Sequence, residues 1–122
     1  MFEIVVGGEF VASHQLKFSD GRVEPRHEHV WRVRVLIAGD DLNSDGVLVD
    51  FAAVRQALAA VTDPLAGRDL NDTPPFERKN PSAENVAMHI GGELAESFPD
   101  GLLLTYVEVE EEPGCFARYY LY

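Results

Sequence analysis

The chain reads as an α+β fold in which two strands, two helices and two further strands follow one another, and three features point to it. Four segments alternate apolar and polar residues with the two-residue period of half-buried strands. Two others carry apolar residues at helical spacing, each behind a capping residue. The stretch Arg26-His27-Glu28-His29-Val30-Trp31 sets two imidazoles two residues apart where the second strand begins, so both project from one face. With 122 residues, 46% of them hydrophobic, residues 1–122 suffice for one domain with a real core and not for two.

Residues 2 to 16 predict the first strand, with Phe2, Ile4, Val6, Gly8, Phe10, Ala12 and His14 along its apolar face. Gly7-Gly8 predicts a bulge there, because missing side chains permit one. Ser19-Asp20-Gly21 is a turn signal. The second strand, about His27 to Ala38, alternates Trp31, Val33, Val35 and Ile37 with Arg32 and Arg34, and His27 and His29 continue its buried-face parity. A polar loop follows from Gly39 to Gly46. Asp50 caps a helix carrying Phe51, Val54, Leu58 and Val61, with Pro64 at its end. Residues 63 to 81 hold Pro64, Gly67, Pro74, Pro75 and Pro81, a long connection of the kind that carries function or disorder. The second helix starts near Asn80-Pro81-Ser82, capped by Asn80 with proline at its first position or by Ser82 itself, and carries Ala83, Val86, Ala87, Ile90 and Leu94. Leu102 to Glu110 and Phe116 to Tyr122 are the closing strands.

Composition excludes several classes of function. Ten Lys and Arg against 21 Asp and Glu give a net charge of -11, which repels nucleic acid and anionic membrane surfaces. No uncharged run approaches membrane-spanning length, and no basic segment followed by an apolar one opens the chain, so no secretory signal is read. The single cysteine, Cys115, excludes an intrachain disulfide framework and fits a reducing cytoplasm. An anionic small substrate would need a local basic cluster, for which Arg26, Arg68, Arg78, Lys79 and Arg118 are the only candidates besides Lys17 and a few strand arginines.

If the first two strands pair as a hairpin, His14 converges on His27 and His29. Three neutral imidazoles around one point make a tetrahedral metal site with one position open, the arrangement of a catalytic zinc. Glu24, three residues before His27, is close enough to act there as a general base; the plainer alternative is a solvated turn glutamate. Glu111 reads as an ordinary charged strand end among Glu108, Glu110 and Glu112. Cys115 lacks an adjacent basic partner, which fits a small buried side chain better than a nucleophile. His89 falls on the second helix and reads as a surface residue.

Several pieces together resemble the 6-pyruvoyl-tetrahydropterin synthase and 6-carboxy-tetrahydropterin synthase family over nearly the whole chain. They are Phe10-Val11-Ala12-Ser13-His14, His27-Glu28-His29, Asp45-Gly46-Val47-Leu48-Val49-Asp50-Phe51, Leu70-Asn71-Asp72, Asn80-Pro81-Ser82-Ala83-Glu84-Asn85, and Glu111-Glu112-Pro113 with Ala117 and Tyr119. The resemblance implies a tunnelling fold, in which a four-stranded antiparallel sheet is covered by two helices and subunits join into homotrimers or homohexamers. It also implies zinc held by His14, His27 and His29, and a dihydropterin gripped by Glu111, whose carboxylate accepts two parallel N–H bonds from the ring.

The chain departs from the family pattern in three places. Val23 stands where the family has its catalytic cysteine, Ala66-Gly67 where it has an aspartate-histidine pair, and Glu28 replaces the glycine between the paired histidines. One branch of the family lacks the cysteine and uses a glutamate at the position of Glu24, cleaving the side chain of dihydroneopterin triphosphate to the 6-hydroxymethyl pterin. The leading expectation is therefore a cytoplasmic zinc-dependent pterin lyase with Glu24 as its base. Alternatives are a zinc-containing pterin-binding protein that has lost catalysis, 6-carboxy-tetrahydropterin synthase activity, and a homo-oligomer in which the metal only staples the hairpin.

Overall fold

The computed structural model describes residues 1–122. Its elements run Phe2–His14 (β1), His27–Gly39 (β2), Phe51–Thr62 (α1), Ala83–Leu94 (α2), Leu103–Glu112 (β3) and Cys115–Tyr120 (β4). All neighbouring strands pair antiparallel, in the order β1-β2-β3-β4. Alternation decides which face is covered: Val33, Val35 and Ile37 of β2 are fully buried, while Arg32 and Arg34 between them face outward. Val107 and Val109 of β3 continue the buried face, and onto it pack Val54 and Leu58 of α1 and Val86, Ile90 and Leu94 of α2, in one continuous core. Each such side chain contributes roughly 1.5–3 kcal/mol on burial, so this layer is what holds sheet and helices together. No helix is long and apolar enough to cross a membrane.

Local chemistry sets the helix ends. Asp50 Oδ1 accepts the Ala52 N–H at 2.9 Å and starts α1, which gives way at Asp63 to Pro64. Of the two cap candidates for α2, Ser82 serves, its Oγ accepting the Asn85 N–H at 3.1 Å. Asn80 is engaged elsewhere. Its Oδ1 accepts the Lys17 N–H at 2.8 Å and its amide donates back to the Lys17 carbonyl at 2.9 Å.

The long connection between the helices is folded. Leu65, Leu70 and Phe76 are buried in the core, and a single 3₁₀ turn spans Leu70–Asp72. It lies along the outer edge of β1, where Gly67 N–H donates to Val11 O at 2.7 Å and Ser13 N–H to Arg68 O at 3.0 Å. An otherwise open strand edge is partly covered as a result. Gly67 has φ +72°, a conformation that side chains other than glycine rarely take.

The bulge expected at Gly7-Gly8 is absent: Gly7 faces Arg34 and Gly8 faces Val33 in an unbroken register. The irregularities fall instead between Leu36 and Ile37 and between Glu110 and Glu112. Packing accounts for Gly8, because a Cβ there would stand 3.2 Å from Leu58 Cδ2 of α1, tighter than ordinary contact. On the opposite face of the sheet Glu108, only 5% exposed, is held between Arg34 at 2.6 Å and Arg118 at 2.7 Å. Two guanidinium partners offset the desolvation of that carboxylate.

Two adjacent glycines in α2 test the packing. A Cβ on Gly91 would meet the Tyr119 ring at 2.9 Å, whereas one on Gly92 meets nothing within 4 Å. Gly92→Ala is expected to stabilise by about 0.5–1 kcal/mol through helix propensity alone. Gly91→Ala has the same propensity gain but overpacks the α2–β4 contact by about 1–3 kcal/mol, so it should destabilise. Urea unfolding of both variants reads the opposite signs.

Candidate metal centre

The β1–β2 register builds the centre. His14 pairs with His27 and Ala12 with His29, so the three rings meet at one end of the sheet. Their centroids lie 4.4–5.2 Å apart, edge to face. Trp31 forms the floor: fully buried, it stands edge-on to His14 at 4.8 Å and to His29 at 6.0 Å, and its indole N–H donates to Ala12 O at 3.1 Å.

Backbone carbonyls orient two of the rings. His14 Nδ1 lies 2.7 Å from Pro81 O, and His27 Nδ1 lies 2.8 Å from Pro25 O. A carbonyl only accepts, so each Nδ1 carries the proton and each Nε2 presents a lone pair. This is how outer partners prepare histidine for a metal. His29 Nε2 is buried and has no hydrogen-bond partner. Its imidazole is held below the ordinary histidine range, first by burial and then by the neighbouring His27, with Glu111 opposing, which favours the neutral, ligating form.

Glu111 completes the group. Its Oε1 lies 3.0 Å from His14 Nε2, 3.2 Å from His29 Nε2 and 4.0 Å from His27 Nε2, and His14 Nε2 and His27 Nε2 are themselves 3.0 Å apart. The four ligand atoms all fall within 4.8 Å of one another. Lone pairs facing each other at these distances repel unless a cation or protons stand among them. Ligands about 2.0–2.1 Å from a tetrahedral zinc would lie roughly 3.3 Å from each other, close to the spacings found. The donor set therefore fits a metal ion of zinc type.

The remaining candidates are placed as follows. Glu24 Oε1 is 3.9 Å from His27 Nε2 and accepts the Leu16 N–H at 2.9 Å, while Glu24 N–H donates to Leu16 O at 3.0 Å. The loop after β1 thus pins a half-buried carboxylate beside the cluster and outside its ligand set. Cys115 is exposed, against the expectation of a buried side chain, because it opens β4 at the tip of the last hairpin. Local desolvation, the contact to Glu112 at 3.6 Å and the charges of Glu112, Glu111 and Glu110 hold its thiol above the ordinary range, the reverse of what activates a nucleophile. His89 is half-buried against Phe76, 5.5 Å between rings, and burial lowers its affinity for a proton; it lies apart from the cluster.

Several positioning residues carry no signal that spacing reveals. Asn71 Oδ1 accepts the Gln15 N–H and its amide donates to Gln15 O, both at 2.9 Å, which ties the chain just beyond His14. Arg26 pairs with Asp69 at 2.8 Å and fastens the approach to β2 to the same connection. Glu111 is recoverable by parity, since Val107, Val109 and Glu111 continue one face of β3.

A four-stranded antiparallel sheet backed by two helices in this order is the tunnelling fold. The chain belongs to the family described as 6-pyruvoyl tetrahydropterin synthase, whose model matches residues 3–121. It is similar to the 6-carboxy-5,6,7,8-tetrahydropterin synthase of Synechocystis sp., with 33% identity over 120 residues covering 91% of this chain and 87% of that relative. It is similar also to the dihydroneopterin monophosphate aldolase of Pyrococcus furiosus, 25% identical over 108 residues and 88% of each chain. Its fold matches Caenorhabditis elegans 6-pyruvoyl tetrahydropterin synthase with a TM-score of 0.82 at 24% identity, over 98% of this chain and 94% of that one. The Plasmodium vivax 6-pyruvoyltetrahydropterin synthase, TM-score 0.78 at 19% identity over 97% and 96% of the two chains, has been solved with a catalytic glutamate replaced by alanine.

The cluster generates a measurement. Titrating metal-stripped protein with Co²⁺ should give visible bands of tetrahedral coordination that saturate at about one ion per chain. His27→Ala and His29→Ala should each weaken uptake by at least about tenfold, while His89→Ala leaves it unchanged. Equal uptake in all four proteins would rule out the histidine centre.

Proposed function

We propose that this chain is a cytoplasmic zinc-dependent pterin lyase, working as a single domain on 7,8-dihydroneopterin triphosphate or a related dihydropterin and cleaving its side chain to the 6-hydroxymethyl product. The observation that carries the reading is the Glu24 carboxylate, fixed by Leu16 at 3.9 Å from His27 Nε2, where the chain has Val23 in place of the expected thiol. Support comes also from the similarity to an aldolase acting on dihydroneopterin monophosphate. A family member in which a glutamate is catalytic points the same way.

His14, His27 and His29 would hold the ion, and zinc there supplies Lewis acidity toward the side-chain hydroxyls. Glu24 takes the proton of the C2′ hydroxyl. The C1′–C2′ bond then breaks, C2′ departs as an aldehyde, and the electron pair passes from C1′ into the pterin ring before C1′ is protonated. Glu111 accepts two N–H bonds from the ring edge and sets its orientation. Ala66-Gly67 supplies no acid or base, and Gly67 instead meets a backbone demand at the edge of β1.

A second reading has its own observation. Glu111 Oε1 lies 3.0 and 3.2 Å from two of the histidines, as a fourth ligand closing the shell would, and a closed shell makes the metal a staple of the hairpin. The two readings separate on Glu111→Gln. In the lyase it weakens pterin binding and leaves metal affinity nearly intact; in the staple it lowers metal affinity.

Glu24→Gln keeps shape and loses basicity. It is expected to reduce turnover of dihydroneopterin triphosphate by about 10²–10⁴-fold with zinc content and pterin binding retained. Product analysis by mass spectrometry decides it. Full activity in this variant removes Glu24 from the mechanism, and a wild-type chain that binds dihydropterins without turnover is a binding protein.

The β4 edge, and the part of the β1 edge that the connection leaves open, lead us to propose also that subunits associate as a homotrimer or homohexamer. Light scattering should give three or six times the 13.5 kDa chain mass. A monomer at micromolar concentration contradicts it.

A further inference from the structure

Glu24 sits on a loop that apolar packing does not hold. Residues 17 to 23 between β1 and β2 are all exposed, and a segment of this kind opens readily unless hydrogen bonds close it. A base has to be held more firmly than that, since about 1 Å of misplacement costs up to about 10²-fold in rate. Much of the closure comes from Gln15, the first residue after β1. Its Nε2 donates to the Glu24 main-chain carbonyl at 3.1 Å, and its Oε1 accepts from the Arg26 guanidinium at 3.4 Å. A carbonyl only accepts and a guanidinium only donates, so a side chain between them must do both. Glutamate has no donor and lysine or arginine no acceptor, whereas an amide carries one of each.

Gln15 is itself clamped. The Asn71 side chain holds its N–H and C=O, both at 2.9 Å, Asn71 N–H donates to Asp69 Oδ1 at 3.1 Å, and Asp69 Oδ2 pairs with Arg26 at 2.8 Å. Arg26 returns to Gln15, so the four residues close a polar ring around the neck of the loop, and each bond in such a ring orders the next. Glu24 hangs from this ring at two points. Its carbonyl is held by the Gln15 side chain, and its carboxylate by the N–H of the adjoining Leu16 at 2.9 Å.

We propose that Gln15 is a positioning residue for Glu24: it holds the main chain of Glu24 while Leu16 holds the carboxylate, and together they set the 3.9 Å between Glu24 Oε1 and His27 Nε2. Gln15 acts on turnover only through the lyase reading above, in which Glu24 is the base; its hold on the loop is independent of that reading. It lies outside the metal-ligand set, and His14 beside it is oriented by Pro81. Its effect therefore falls on proton transfer, hence on kcat, and leaves zinc and pterin binding in place.

The test uses the zinc-loaded full chain with two substitutions. Gln15→Glu keeps the shape and the Arg26 contact but sets an acceptor against the Glu24 carbonyl, and Gln15→Met removes both bonds. With dihydroneopterin triphosphate, each is expected to lower kcat by about 10–100-fold at unchanged KM and zinc content. In the Glu24→Gln background the same substitutions should cost less than about twofold, because the group they position is gone. An equal loss in both backgrounds, or a loss carried by KM, shows general support of the fold and overturns the proposal. Hydrogen exchange reads the loop without turnover: the Leu16 amide should exchange at least about tenfold faster in both variants, while the Trp31 indole beneath the metal centre stays protected. Unchanged Leu16 exchange overturns the proposal, as does equal acceleration at Trp31. Faster Leu16 exchange in variants of a chain that cleaves no dihydropterin upholds the clamp and overturns the lyase. Cleavage by the wild type, with kcat and Leu16 exchange both unchanged in the variants, upholds the lyase and overturns the clamp.

Discussion

The register of β1 on β2 is the constraint from which the rest follows. Pairing His14 with His27, and Ala12 with His29, puts all three rings on the face that Trp31, Val33, Val35 and Ile37 bury. Because strand side chains alternate, a slip of one residue would turn His14 away from its partners and place Phe10 and Val6 in solvent. Hydrophobic burial therefore fixes the geometry of the polar centre. The same apolar face that receives α1 and α2 determines where the imidazoles point.

Distant main-chain groups finish what the register begins. Pro81 and Pro25 have no N–H to offer, yet their carbonyls fix the tautomers and orientation of His14 and His27, and each sits where a loop enters a regular element. Asn71 and Asn80 use side-chain amides as a neighbouring strand would use its backbone, holding residues 15 and 17 where β1 has run out of partners. Glu24 gains its place through this tethered stretch. The family-like motifs Leu70-Asn71-Asp72 and Asn80-Pro81-Ser82 are thereby given a physical task, which is to fasten one side of the site.

Much of this was legible in the residues. Alternation along Trp31 to Ile37 fixed β2, Asp50 and Pro64 bounded α1, and the shared parity of His27 and His29 announced the centre. Other parts were not. The contacts of His14 with Pro81 and of Lys17 with Asn80 join positions 67 and 63 residues apart, and a carbonyl acceptor leaves no mark in the sequence. Gly8 shows why local rules misled: a glycine in a strand signals a bulge by propensity, but here its reason is Leu58 on a helix far along the chain. Cys115 is exposed for a similar reason, since whether a small residue is buried depends on where the hairpin turns.

Trp31 adds a property of a different kind. It is the only tryptophan in the chain, it is shut off from solvent, and its ring edges touch the surroundings of two of the three clustered imidazoles. Indole emission is sensitive to nearby charge and to quenching by protonated imidazole. All tryptophan fluorescence from this protein therefore originates beside the site, and a change of occupancy or protonation there alters the whole signal rather than a fraction of it. The fold has supplied its own optical reporter, readable without a label.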